Sequence, residues 1–214
     1  MQRSSKKIAL VTGANKGIGF EVARQLATSG YTVLIGARIK ALGEEAAASL
    51  KRAGGDVRYL AIDLTDPASV AAGAAAIAAD FGHLDILVNN AGIVAPGDGL
   101  PSATNRDAIE LALRVNFIGS VAVAQAMLPL LRNALSGRIV NVSSGLGSLT
   151  LNGDPAHPYA AVKFLGYSAS KAALNMFTVQ LAYELRGTAI KVNSADPGYT
   201  ATDLNGHRGT QTRC

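Results

Sequence analysis

The sequence predicts an α/β protein built on a doubly wound, parallel β-sheet. Three observations predict it. Short β-branched or apolar runs recur along the chain, and Ala- and Leu-rich stretches of helical length separate them. The runs are apolar on consecutive residues, as strands covered on both faces require. Right-handed crossovers then restrict the topology, and ligands are expected beyond the carboxyl ends of the strands.

In chain order, the run Ile8-Ala9-Leu10-Val11-Thr12 predicts the first strand, and a helix is expected over 17–29. A second strand at 32–36 leads to an Ala-rich helix over 43–53, and a third at 57–62 to the alanine-dense helix 67–80. The fourth strand, 84–89, precedes a long helix over 104–131. The fifth, 138–142, precedes a helix over 167–185, and 190–193 is the sixth. Within the long helix, 115–131 is the most apolar stretch. Asn116, Ser120, Gln125 and Pro129 interrupt it, so it is expected to be a buried helix and no membrane span.

The 214 residues, 49% hydrophobic and 16% charged, suffice for one domain spanning 1–214 with a full core and exclude a mainly disordered chain. The net charge of +5 is scattered, its densest stretch being 3–7, so no nucleic-acid partner is expected. Cys214 is the only cysteine and no signal-peptide core follows Lys6 and Lys7, which points to a reducing, cytoplasmic setting. No metal site is expected.

Directly after the first strand comes Thr12-Gly13-Ala14-Asn15-Lys16-Gly17-Ile18-Gly19, opening into a helix. Glycine permits a tight turn and close approach of backbone to a pyrophosphate, to which the helix N-terminus offers free N–H groups. The spacing G-x-x-x-G-x-G differs from the usual dinucleotide fingerprint and lacks the Gly-Lys-Ser/Thr of a P-loop. An NAD site wants a carboxylate at the end of the second strand for the ribose hydroxyl, where this chain has Ala37-Arg38. Arg38 and Lys16 suit the 2′-phosphate of NADP(H); the alternative is two solvated surface charges.

Tyr167-Ser168-Ala169-Ser170-Lys171 places a phenol and an ammonium four residues apart, on one face if helical. Such a pair can donate a proton to a carbonyl, with the ammonium lowering the phenol pKa toward the working pH. Tyr159 and Lys163 have the same spacing, so spacing alone does not choose between them.

The chain resembles the short-chain dehydrogenase/reductase family from Thr12 to about Thr202, with the motifs in the family's order. Gly13, Gly17 and Gly19 match its cofactor turn, with Asn15, Lys16 and Ile18 between them. Asp63, followed by Leu64, matches the acid that meets the adenine, and Asn89-Asn90-Ala91-Gly92 the fourth-strand motif. Asn116, Ser144, Tyr167 and Lys171 match the catalytic tetrad. The resemblance implies a Rossmann-type fold and an NADPH-dependent, reversible reduction of ketones or aldehydes. In it Tyr167 is the general acid, Ser144 polarises the carbonyl, Lys171 binds the nicotinamide ribose and Asn116 holds a water of the proton relay. Pro197, Gly198 and Thr202 match the stretch passing the nicotinamide and pyrophosphate. The family's wording around Tyr167 selects it over Tyr159. Three residue-level alternatives remain: Ser143 as the inward serine, Asn116 bonding backbone only, and Asp63 capping the turn before Pro67.

Departures from the family pattern set further expectations. The segment between Ser144 and Tyr167 is longer than usual and is expected to form an extra loop beside the substrate, with His157 a bystander or a substrate contact. After Thr202 the family's last strand is expected to be missing, leaving the sixth strand as a sheet edge and the substrate less covered. A catalytically silent NADP-binding or interaction protein is therefore the competing reading. Asp196 stands where the family pattern leads us to expect no carboxylate. Val94, Leu146, Leu149, Tyr199 and Leu204 suggest an apolar substrate, and a homodimer through the helices 104–131 and 167–185 is the expected assembly.

Overall fold

The computed structural model describes residues 6–211. Six strands form one parallel sheet: β1 (Ile8–Thr12), β2 (Thr32–Ala37), β3 (Asp56–Ala61), β4 (Ile86–Asn89), β5 (Arg138–Val142) and β6 (Lys191–Ala195). Their order is β3-β2-β1-β4-β5-β6, with Leu10 level with Leu34 on one side and Leu87 on the other. The chain thus reverses its direction of travel across the sheet at β1 and β4. That reversal opens a crevice at their carboxyl ends, where doubly wound sheets take ligands.

The helices are α1 (Gly17–Thr28), α2 (Lys40–Arg52), α3 (Pro67–Phe81), α4 (Arg106–Ala112), α5 (Ser120–Arg132), α6 (Leu149–Gly153) and α7 (Leu165–Glu184). Strand alternation explains why β1 is buried throughout. Ile8 and Leu10 join Ile77 of α3, Met127 and Leu131 of α5 and Leu181 of α7 in one core. Ala9 and Val11 join Ala23 of α1 and Ala46 and Leu50 of α2 in the other.

Several predicted boundaries move. β4 starts at Ile86: the Leu84 N–H goes to the Leu130 carbonyl and its side chain fills the core, while Asp85 meets Ile8 and Arg138 through its backbone and also accepts the Ile8 N–H on its carboxylate at 2.7 Å. The long helix runs Arg106–Arg132 and is long and apolar enough to cross a membrane by length and composition. In this fold Val123, Ala124, Met127 and Leu131 of that helix lie in the core. It is also not uniform, since Leu113–Gly119 is a π-helical turn between α4 and α5. The expected loop between Ser144 and Tyr167 carries structure of its own: a 3-10 turn at Gly145–Gly147, α6, and a second 3-10 turn at Pro158–Ala161. Ser148 caps α6 and His157 caps the second turn by accepting the Tyr159 N–H, so local polar caps replace the irregular backbone expected there. Among the described residues β6 is an outer strand, and Thr200 and Gln211 form an isolated bridge beyond it. Cys214 lies outside the described residues.

Candidate active site

The turn after β1 is held from three sides. Gly13 donates to the Gly36 carbonyl at 2.8 Å, and Thr12 Oγ1 accepts the N–H groups of Asn90 and Ala91, both at 3.1 Å. The Asn90 amide donates back to the Thr12 carbonyl. Gly13 and Gly17 have φ of +64° and +63°, the left-handed region that favours glycine. A Cβ on Gly13 would lie 2.8 Å from Ala91 Cα, and one on Gly19 would run into the Asn90 amide. α1 starts on Lys16 with no side-chain cap and no acid in its first turn, so its leading N–H groups stay available to an anion. Thr202 Cγ2 sits 3.8 Å from the Cβ position of Gly17, above the turn. Asn15 and Ile18 are half-buried on the turn, while Lys16 is exposed and pairs with Asp203 at 2.7 Å.

Arg38 is exposed just past β2. Burial pushes the Asp63 carboxyl up, but the Thr65 N–H and hydroxyl and the charge of Arg38 together hold it below its ordinary value. Asp63 therefore shapes its own turn through Thr65, whereas Asp66 caps α3 through Ala68. Leu64 packs on Gly119, directly before α5.

At the ends of β5 and β6 the two candidate serines separate. Ser143 donates to Asn175 at 2.6 Å, while Ser144 is in hydrogen-bonding reach of the Tyr167 hydroxyl. Tyr167 and Lys171 lie one turn apart on α7, 8% and 3% exposed, and Lys171 Nζ donates to the Val142 carbonyl at 2.6 Å. Tyr159 and Lys163 share no helix, because the 3-10 turn ends between them; the Tyr159 ring instead covers Gly145. Asn116 lies in the π turn, fully buried, its amide exchanging two hydrogen bonds with the Ile93 backbone and donating to Ser170 Oγ at 2.9 Å. The Cβ position of Gly92 is 3.4 Å from Asn116 Oδ1 and 3.5 Å from Lys171 Nζ, so these three residues converge.

The electrostatics differ from the sequence expectation. Burial pushes the Tyr167 phenol up to about 12, Ser144 opposes the rise through its hydrogen bond, and the negative charge of Asp196 adds to it. Burial also lowers the Lys171 ammonium to about 8. The ammonium, 5.6 Å from the phenol ring centroid, does not overcome the loss of water around the tyrosine.

Sequence reasoning missed Asp98. Its two carboxylate oxygens accept the N–H groups of Gly166 and Tyr167 at 2.9 and 2.8 Å, and the Gly99 carbonyl accepts that of Leu165. These bonds cap the helix that carries Tyr167 and Lys171. The sole signal was an Asp-Gly pair in a turn-like stretch. Ser170 was also missed: it donates to the Tyr167 carbonyl and accepts from Asn116. Pro197 and Gly198 follow β6, with Gly198 at φ +70°. Of the apolar residues expected at the substrate, Val94 and Leu146 are half-buried, and Leu149, Tyr199 and Leu204 are exposed.

A glycine-lined anion cradle at the switch point of a parallel sheet, facing a buried Tyr/Lys pair, defines a dinucleotide-binding fold of the Rossmann kind. The short chain dehydrogenase family model matches residues 7–213. The short-chain dehydrogenase anuI of Penicillium roqueforti is 36% identical, covering 99% of this chain and 86% of its own. A (+)-neomenthol dehydrogenase of Arabidopsis thaliana is 31% identical, over 96% and 86%. Among solved structures, salutaridine reductase from Papaver somniferum superimposes with a TM-score of 0.84 at 29% identity, covering 97% of this chain and 92% of that one. A gluconate 5-dehydrogenase from Burkholderia cenocepacia, in complex with NADP and tartrate, gives 0.83 at 30%, over 95% and 75%. The chain belongs to the short-chain dehydrogenase/reductase family and is an oxidoreductase that binds a nicotinamide cofactor.

Proposed function

We propose that the protein reduces a ketone or aldehyde to the alcohol with NADPH, reversibly. The observation that carries this reading is the buried Tyr167 phenol, within reach of Ser144 and one helical turn from Lys171. When bound, the cofactor would supply the hydride that the carbonyl carbon takes up. Ser144 holds the carbonyl oxygen, and Tyr167 gives it the proton that completes the hydroxyl. A phenol with its pKa near 12 stays protonated at neutral pH, as a donor must. Lys171 would hold the nicotinamide ribose and stands beside the phenol as a proton reserve, while Asn116, whose amide N–H groups go to Ile93 and Ser170, keeps only the second lone pair of Oδ1 for a relay water.

The cofactor fits the cradle described above: a Cβ would close it at Gly13 and Gly19, and the first turn of α1 carries no competing acid. Arg38, with no carboxylate at the end of β2, and Lys16 favour the 2′-phosphate of NADP over the bare ribose of NAD. Half-buried Val94 and Leu146 favour an apolar small molecule. Met176, Val179 and Tyr183 on α7 and Ile118 before α5 are exposed, and association of two copies through these helices would cover them.

NADPH consumption by the purified protein across a panel of aldehydes and ketones tests the reading. Tyr167→Phe should lower turnover by about 100-fold or more. Unchanged turnover in that variant overturns the assignment. NADPH binding without turnover of any carbonyl would favour a silent cofactor-binding protein.

A further inference from the structure

We propose that Asp196 is a positioning residue: its carboxylate ties the Ser144 loop to the loop after β6 and sets the pH range over which Tyr167 exchanges its proton. Oδ2 accepts the N–H of Gly145, the residue after Ser144, at 2.9 Å, and Oδ1 accepts the Gly198 N–H at 2.9 Å. One side chain therefore bridges the turn that aims Ser144 at the phenol and the Pro197-Gly198 turn. Bonds from backbone N–H to a carboxylate are charge-assisted and short, and two from different loops fix the loops relative to one another.

The charge of Asp196 is not spent on an ion pair among the described residues. The other charged groups on the elements packed around Tyr167 are placed differently. Lys171 and Glu184 lie on α7 itself, Glu184 exposed at its far end, and Asp98 acts on the backbone N–H of Tyr167. On α4, Arg106, Asp107 and Glu110 are exposed, and Arg106 pairs with Glu110. Arg114 of the π turn is exposed. Arg138 and Lys191 are exposed at the opposite, amino ends of β5 and β6. Asp196 is thus the carboxylate that the phenol senses, and its negative charge opposes formation of phenolate.

The inference rests on the reading of Tyr167 as the proton-exchanging group. In alcohol oxidation the phenolate must accept the proton, so the rate rises with pH toward the pKa of that group in the loaded enzyme. The experiment measures kcat for alcohol oxidation against pH with enzyme saturated in NADP, for wild type, Asp196→Asn and Asp196→Glu. Loss of the charge in Asp196→Asn should move the midpoint of the rise down by about half a pH unit or more, whereas Asp196→Glu should restore it toward wild type. A midpoint that stays put in Asp196→Asn, or moves equally in both variants, overturns the proposal and leaves Asp196 a brace alone. Should Asp196→Asn not fold, Asp196→Ser removes the charge while keeping a hydroxyl acceptor. It is read by the same profile and by the ultraviolet absorbance titration of Tyr167, taken as the difference from Tyr167→Phe. Retained turnover in Tyr167→Phe would instead refute the underlying reading, whatever the Asp196 variants do.

Discussion

Replacing Asp98 should loosen the helix on which the chemistry depends. In Asp98→Ala the first turn of α7 loses acceptors for the N–H groups of Gly166 and Tyr167, at 2.9 and 2.8 Å, while Leu165 keeps the Gly99 carbonyl. Hydrogen bonds to a charged group contribute about 1.5–3 kcal/mol each, but water reaches this half-buried site and replaces part of the loss. Loss of a cap and of a negative charge at a helix N-terminus is independently worth about 1–3 kcal/mol. We predict a destabilisation of about 2–4 kcal/mol. For a chain of 214 residues that lowers Tm by about 4–16 °C at roughly 2–4 °C per kcal/mol. Asp98→Asn keeps one acceptor oxygen and turns an amide donor toward the other N–H, so it should recover less than half of the loss. Because Tyr167 is the third residue of α7, fraying of that turn displaces the phenol, and kcat should fall about tenfold with a smaller change in KM. Differential scanning calorimetry with steady-state kinetics on both variants checks this. A Tm within a degree of wild type together with unchanged kcat would refute the capping argument.

Further outcomes are expected. Burial holds Lys171 near 8 against an ordinary 10.5, so its contribution to stability is full above the higher value and is lost as pH falls through the lower one. Urea denaturation of cofactor-free protein should therefore show wild type gaining about 1–2 kcal/mol on Lys171→Met between pH of about 8 and about 10; parallel curves would contradict the burial of the amine. That window ends where Tyr167, raised to about 12, starts to act in the opposite sense. Gly145→Ala puts a Cβ into the Tyr159 ring, and should cost about 1–3 kcal/mol and raise KM for the carbonyl; a neutral effect on both would show that the segment before α7 yields freely. Arg38→Asp should lower the NADPH-over-NADH preference in kcat/KM by about tenfold or more, and an unchanged ratio would remove Arg38 from cofactor choice. Val179→Asp, at a position 66% exposed, should yield monomers in analytical ultracentrifugation if α7 joins two copies; an unaltered sedimentation profile would place any contact elsewhere.

The sheet was legible because its signal is burial on both faces. All residues of β1 and β2 are buried, and such runs stand out from the Ala-rich helices between them. Errors arose at the ends of apolar runs. Leu84 reads as the start of a strand, yet its N–H goes to the Leu130 carbonyl and its side chain fills the core, so ladder-type bonds begin with Asp85, whose backbone meets Ile8 and Arg138. The π turn at Leu113–Gly119 left no periodic mark, because one widened turn in a long apolar helix changes neither composition nor the neighbouring pattern. Asn116 was visible by its family motif, but its bonds to Ile93 and Ser170 were not. The segment before α7 misled for a different reason: its order comes from caps by Ser148 and His157, and a polar loop of the same composition would look alike.

Asp98 and Asp196 show why the rest of the site was not readable. Each carboxylate bonds backbone N–H groups of a segment far along the chain, 68 and 69 residues away for Asp98 and 51 for Asp196. Neither forms an ion pair among the described residues. A carboxylate paired with lysine or arginine has a partner that composition can suggest, but nearly every residue carries a backbone N–H, so nothing in the sequence marks which one is taken. Ser144, Tyr167 and Lys171 match the family motif, and Gly145 and Gly166, neighbours of Ser144 and Tyr167 in sequence, offer the N–H groups by which the two carboxylates reach them. Substitution of either aspartate leaves every residue of that motif in place, so a change in turnover or in its pH profile on such a substitution would demonstrate that the motif alone does not make the site.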